Sequence, residues 1–287
     1  MQLAVAIAGT HLQPSAVHPL SLIEMDDDYF YESTPAEADR LIQARRSRLE
    51  ELIQSLEPPE TRQLVHPIIR IANDVARTTA EVAQIDQANL ILVGWHRPAF
   101  STNRLGGRVG QILSQVKVDV AIFVDRGRER IETLLVPYAA NIHDDFALEL
   151  ALRLLVNNQH CTLTVLRVAQ SEGTLTELSN EVMSLMDQLP ASVSDRINIQ
   201  IVTVPNPIQA VIQASETVDL TIAGTSRTWG IERQTLGRYT DELAIECRSS
   251  LLITRRHPQV SSHLSSMFSH TKGETSTLQD ESGVGRL

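Results

Sequence analysis

Apolar residues along this chain fall into two alternating kinds of run. Short stretches rich in Val, Ile, Leu and Thr read as strands buried on both faces, and longer stretches with apolar positions every three or four residues read as helices laid against them. From residue 131 onward the pattern predicts strands at 133–138, 162–168, 197–204, 219–223 and 250–254. Helices at 141–156, 175–189, 207–217 and 235–247 separate them. Phe146, Leu150, Leu154 and Leu155 make one stripe of the first helix, and Leu178, Val182, Leu185 and Met186 one stripe of the second. Strands that alternate with helices in this way imply a parallel sheet joined by crossovers, which is an α/β architecture.

The first half repeats the series with its opening missing. Residues 19–25 read as a second strand and 35–56 as a long second helix, and 65–72, 90–93 and 120–124 match strands three to five. Helices at 74–85 and 107–116 lie between them, and 1–7 reads as what remains of a first helix. A parallel sheet without its first, central strand leaves backbone donors and acceptors unpaired where pairing matters most. A gap, a borrowed strand or a partner chain is therefore expected there, with an incomplete start as the plain alternative.

The two halves also share a spaced motif. Gly94-x2-Arg97-x9-Gly107-Arg108 recurs as Gly224-x2-Arg227-x9-Gly237-Arg238, displaced by 130 residues (224 − 94 and 237 − 107). Each copy follows an apolar run, Leu90-Ile91-Leu92-Val93 or Leu220-Thr221-Ile222-Ala223, and leads into a helical stretch. Strand, glycine loop and helix is the order in which free backbone N–H groups and the positive end of a helix dipole can cradle a phosphate. Gly106 and Gly107 permit the close approach in the first copy, and Gly237 in the second.

Composition narrows the ligand. The formal net charge is −10 with 21% charged residues, which argues against a general nucleic-acid binder, so any anion site must be local. The loops supply that exception, because Arg97, Arg104 and Arg108 meet no acid between 94 and 108, and Arg227, Arg233 and Arg238 outnumber Glu232. At 287 residues and 42% hydrophobic content the chain fills about two ordinary domains, expected at 1–130 and 131–258. Beyond Pro258 the sequence turns to Ser, Thr, His and Gly, and 259–287 is expected to be a disordered tail. The 2 cysteines, Cys161 and Cys247, form neither a disulfide framework nor a zinc motif, and no apolar stretch approaches the roughly 18 residues of a membrane span. The expected location is the cytoplasm.

With these loops the chain resembles the universal stress protein family. Its nucleotide-binding members carry Gly-x2-Gly-x9-Gly-Ser/Thr after the fourth strand of a five-stranded doubly wound sheet. The resemblance covers nearly all of the ordered chain and implies two tandem Rossmann-type domains of that kind, the first lacking its first strand. It carries a phosphate-contacting role to Gly94, Gly107, Gly224 and Gly237. Arg97 and Arg227 stand at the family's second glycine, and Arg108 and Arg238 replace its hydroxyl residue. The family's adenine-holding aspartate at the end of the first strand has no counterpart in Leu135-Val136-Pro137-Tyr138-Ala139-Ala140. Either the arginines grip phosphate in place of backbone, or they fill the cleft.

The segments Ala88–His96 and Asp119–Gly127 are more specifically similar to the cytoplasmic tandem module of bacterial cation:proton antiporters. That resemblance implies a regulatory module answering to a nucleotide, ATP or another adenine nucleotide, with a membrane antiporter as partner. Membrane association would then come through that transporter. A homodimer and an intramolecular pairing of the halves, through sheet edges or fifth strands, are both expected arrangements. A nucleotide-free interaction scaffold and the detached soluble half of an antiporter are the competing readings.

Other features have plainer explanations. Trp95 and Trp229 in the loops could stack on a base, but loop tryptophans more often cap a core or an interface. Asp26, Asp27 and Asp28 with Glu24 could hold a cation, yet adjacent acids point in different directions, and no metal is expected. Acids in His143-Asp144-Asp145 suit a helix start. No Gly-x-Ser-x-Gly elbow, His-Glu-x-x-His helix or Walker lysine loop occurs, and the expectation is binding without turnover.

Overall fold

The computed structural model describes residues 1–9, 15–25, 34–95, 107–128, 130–139, 141–169, 189–225 and 238–258. In chain order the first half contributes α1 (Gln2–Ala8), β1 (Leu20–Glu24), α2 (Pro35–Gln54), β2 (Ile68–Ala72), α3 (Val75–Ile85), β3 (Leu90–Gly94), α4 (Gly107–Gln115) and β4 (Asp119–Val124). The second contributes β5 (Thr133–Pro137), α5 (Ile142–Asn157), β6 (Thr162–Ala169), α6 (Ala191–Ser194), β7 (Ile197–Thr203), α7 (Pro207–Ala214), β8 (Leu220–Gly224), α8 (Arg238–Glu246) and β9 (Ser250–Arg255). The predicted helix at 175–189 and the tail at 259–287 lie almost wholly outside the described residues.

Local chemistry explains the starts. Thr34 caps α2 by accepting from Glu37 N–H at 3.3 Å while Glu37 reaches back to Thr34 N–H, and Pro35 takes the first helical position, where its missing donor costs nothing. Asp74 caps α3 by accepting from Arg77 N–H at 3.0 Å. One strand is shorter than its apolar run. The stretch 65–72 pairs regularly only from Ile68: His66 N–H donates to the Val17 carbonyl at 2.9 Å and Ile68 N–H to the Pro19 carbonyl at 3.0 Å, but Pro19 has no N–H to return to His66; Val65 makes an isolated bridge to Val17, and Pro59–Leu64 before it forms a 3-10 turn.

Seven strands form one sheet in the order β3-β4-β9-β8-β5-β6-β7, and β1 and β2 form a separate parallel pair. All neighbours are parallel except β4 and β9, which run antiparallel from Val120 opposite Arg255 to Val124 opposite Leu251. The second half therefore has the order β7-β6-β5-β8-β9, a doubly wound parallel sheet whose strand order reverses between β5 and β8. In the first half the corresponding order is interrupted: among the described residues β1 is hydrogen-bonded only to β2, and β3 only to β4.

Two apolar layers cover the large sheet. One joins Leu3 and Ile7 of α1 and Phe146, Leu150 and Leu154 of α5 to Leu134, Val136, Leu220, Ile222 and Leu252. The other joins Val109, Ile112 and Leu113 of α4 with Ile208, Val211, Leu243 and Ala244 of α7 and α8 against Val120, Ile122, Leu251 and Ile253. Alternate residues of β4 and β9 face opposite layers, as the two-residue period of a strand requires. A smaller cluster of Val5, Ile53, Leu56 and Val65 ties α1 to α2 and the β1–β2 pair.

Candidate functional site

The two glycine motifs lie at the carboxyl ends of β3 and β8, the rim where open α/β sheets bind ligands. Gly94 ends β3, Trp95 follows, and Gly107 opens α4. Gly224 ends β8, Thr225 follows, and Arg238 opens α8. Arg97, Arg104, Arg227, Arg233, Gly237 and Trp229 lie outside the described residues, as do the Arg238 side chain and Asp26, Asp27 and Asp28.

The described parts of the two rims differ. At Gly94 an added Cβ would meet nothing within 4 Å, whereas at Gly224 it would lie 2.3 Å from Asp144 Oδ1 and 2.7 Å from the Asp144 backbone nitrogen. Among the described residues the first rim is open at its glycine, and the second is filled by the start of α5. Arg108, from the first turn of α4, forms an ion pair with Glu24 at the end of β1, with both side chains largely exposed. That pair links the carboxyl end of β1 to the helix that follows β3, so both strand ends belong to one rim.

In the second half the filling is built by capping. Asn141 Oδ1 accepts from His143 N–H at 2.9 Å and from Asp144 N–H at 3.1 Å, starting α5. The Asp144 carboxylate in turn accepts from Ala139 N–H at 2.9 Å and from Asn141 Nδ2 at 2.5 Å. β5 and β8 pair only at Leu134–Leu220 and Leu135–Thr221, so the strands part toward their carboxyl ends and the carboxylate sits beside Gly224. At their amino ends Asp219 stitches them, accepting from Glu132 N–H and Thr133 N–H at 3.0 Å and from Thr133 Oγ1 at 2.8 Å. Burial opposes ionisation of Asp219, but these donors outweigh it and hold the carboxyl below its usual value. Asp144 shows the reverse balance. Burial pushes its carboxyl up to about 6, with a further push from Asp145, against the hydrogen bonds from Ala139, Gly224 and Asn141.

Beside this rim is a buried ionic cluster that sequence reasoning missed. Arg256, which follows β9, pairs with Glu149 of α5 and lies 3.4 Å from Asp119 at the start of β4, all three almost fully buried. Its guanidinium also stands 4.9 Å from the Phe146 ring centroid. Asp119 accepts from His257 N–H at 2.7 Å, and His143 Nδ1 accepts from Arg256 N–H at 3.1 Å. Burial pushes the Asp119 carboxyl up while His257 and Arg256 pull it down, with a net rise. Burial first, then the charges of Arg255 and Arg256, holds the His143 imidazole below its usual value. Nothing in the local sequence distinguishes Arg256 from Arg255, because its partners come from positions 107 and 137 residues away (256 − 149 and 256 − 119). Among the described residues, no group of three or more His, Cys, Asp or Glu side chains is arranged to hold a metal ion.

No family model matches the chain, and no curated protein matches it. Solved structures do. A universal stress protein from Archaeoglobus fulgidus DSM 4304 superposes with a TM-score of 0.60 at 14% identity, covering 90% of this chain and 92% of that one. A candidate universal stress protein from Pseudomonas aeruginosa UCBPP-PA14 and a functionally unknown protein from Pseudomonas aeruginosa PAO1 each give 0.52 at 13% identity, covering 94% of this chain and 91% of theirs. With an interrupted first half, a five-stranded doubly wound second half and matches along nine-tenths of its length, this chain has the α/β fold of universal stress proteins.

Proposed function

We propose that the chain is a non-catalytic regulatory module of universal stress type that binds an adenine nucleotide such as ATP, or another phosphate-bearing anion, at the rim of its first half. The contrast between the two glycines carries this reading: among the described residues nothing stands within 4 Å of a Cβ at Gly94, whereas a carboxylate occupies that space at Gly224. Arg108 supports it. Its ion pair with Glu24 is exposed, and exposed pairs are weak, so a phosphate can take the guanidinium from the carboxylate. Arg97 and Gly107 would complete the first cradle. Gly224, Arg227, Gly237 and Arg238 would form a second that an anion enters only against the charge of Asp144. The sequence resemblance to antiporter modules assigns regulation of a membrane cation:proton antiporter from its cytoplasmic side, the ion path being the partner's. Among the described residues no helix is long and apolar enough to cross a membrane.

Thermal unfolding with ATP, ADP, a cyclic dinucleotide or inorganic phosphate tests the proposal, because a ligand that prefers the folded chain raises its midpoint. The expected result is a rise with at least one of them, and an affinity about tenfold or more weaker in Arg108→Ala, as loss of a charge-assisted contact implies. The Arg108–Glu24 pair also favours a second reading, a nucleotide-free interaction scaffold. That reading prevails if no anion shifts the midpoint.

A further inference from the structure

β2 and β7 hold the same place in the repeat, each last in its half's strand order, and among the described residues each is hydrogen-bonded to one neighbour, β1 or β6. A strand edge with free N–H and C=O groups pairs with another chain unless charge, proline or a bulge guards it. β2 is guarded. It is 5 residues long, follows Pro67 and carries an exposed Arg70 at its centre. β7 is 7 residues long, Ile-Asn-Ile-Gln-Ile-Val-Thr, with no charge and no proline, in unbroken register with β6, and its Ile201 is 42% exposed.

The β6 ladder fixes which groups of β7 face outward. Leu163 N–H donates to the Arg196 carbonyl at 2.9 Å, and Val204 N–H donates to the Ala169 carbonyl at 3.1 Å. Alternation then turns the backbone groups of Asn198, Gln200 and Val202 toward β6, and those of Ile197, Ile199, Ile201 and Thr203 toward the outer edge. That edge is complementary to itself. About a two-fold axis at Gln200, an antiparallel copy sets Ile199 opposite Ile201 and Ile197 opposite Thr203, so every outward residue exchanges both its bonds with an outward residue of the other copy.

Side chains and charge fit the same register. Ile197 and Ile199 pack in the layer that holds Leu163 and Val165, and Ile201 is the next residue on that face, where the opposing Ile199 would extend the layer over it. Arg196, just before β7, is held by the carbonyls of Ser192, Asn158 and Cys161, and would lie beside Val204 of the other copy. Arg167 is the one ionisable side chain of β6. Paired copies hold their two Arg167 residues three strand spacings apart, about 14 Å, which exceeds a Debye length at physiological salt. Within the chain, β4 and β9 already pair antiparallel in this manner.

We propose that β7 is a self-association edge, on which a second copy of this chain pairs antiparallel about Gln200 and continues the seven-stranded sheet across both copies. β7 lies at the opposite end of that sheet from β3, so the pairing is independent of ligand binding at the first glycine rim.

Light scattering and hydrogen exchange on the full chain test this, with Gln200→Lys and Gln200→Glu as variants at an exposed position. The expected result is a concentration-dependent dimer in which exchange slows at Ile197, Ile199, Ile201 and Thr203. Each variant alone sets like charges opposite one another and raises the dimer dissociation constant about fivefold, and mixing the two restores pairing and shows that both are folded. A chain that stays monomeric at every concentration overturns the inference. So does a dimer that both variants leave unchanged, or a mixture that fails to recover. Protection that falls on β2 or β3 instead, or that covers the outward β7 amides already in the monomer, overturns it as well.

Discussion

Gly94 and Gly224 hold the same place in the repeat, yet a methyl group on each has different consequences. Gly224→Ala drives a Cβ to 2.3 Å from Asp144 Oδ1 and 2.7 Å from backbone, which overpacks the rim and costs about 2 kcal/mol or more; Gly94→Ala meets nothing within 4 Å among the described residues and should stay within about 0.5 kcal/mol of the parent. Urea midpoints of the two variants check this, and equal losses would contradict the filled second rim. Asp144 sets a pH dependence. Its folded pKa of about 6 lies above the usual 3.8, so the stability it contributes is fully present below about 3.8 and is lost as pH rises to about 6, a swing of roughly 3 kcal/mol at most. Asp144→Asn cannot ionise, and its unfolding midpoint should vary less than the parent's between these limits. A variant that tracks the parent through this window would place the titrating group elsewhere. The glycines were legible in the sequence because their spacing repeats. Asp144 reads there only as an acid at a helix start, since its approach to Gly224 spans 80 residues (224 − 144).

At the scale of elements, the antiparallel β4–β9 pair places an arginine from each half on a helix end of the other. Arg255 Nη1 donates to the Leu113 carbonyl in the last turn of α4 at 2.7 Å, and Arg126 Nη2 donates to the Ala244 carbonyl in the last turn of α8 at 2.8 Å. A cation at a helix carboxyl end satisfies orphan carbonyls and complements the dipole. Arg255→Ala should cost about 1 kcal/mol in chemical denaturation. Arg256→Met should cost more, about 3 kcal/mol, because it strands Asp119 as a buried carboxylate without its cation and leaves Glu149 only Arg153, at 3.4 Å. A near-neutral Arg256→Met would show that the cluster relaxes or takes up protons instead. Most elements were legible from periodicity and caps, with Thr34 before Pro35 and Glu37 marking α2. The 3-10 turn at Pro59–Leu64 and the four-residue α6 were not, since a single turn carries too few positions to show a period.

For the whole molecule, the sheet runs unbroken from β3 to β7 through the junction of the two halves, while β1 and β2 stand outside it. Leu251, Leu252 and Ile253 of β9 and Val120 and Ala121 of β4 have no exposed surface, so this junction is as deeply buried as any strand of the sheet. Hydrogen exchange should therefore rank amides of β4, β5, β8 and β9 as slowest and those of β1 and β2 as faster, because local opening follows burial and pairing. Residues 131–258 expressed alone would present the β9 edge and its apolar faces, and should self-associate in light scattering. A stable monomer of that fragment would show that β9 does not depend on β4.

The order of strands and helices, the short first half and the paired glycine loops follow from local patterns, because periodicity, caps and spacing are written within a few residues of each other. Which strand joins the halves, which glycine rim stays open and where Arg256 finds its carboxylates depend on residues tens to more than a hundred positions apart. Those contacts are chosen by packing across the sheet, where burial and complementary backbone edges, not neighbouring residues, decide the partner.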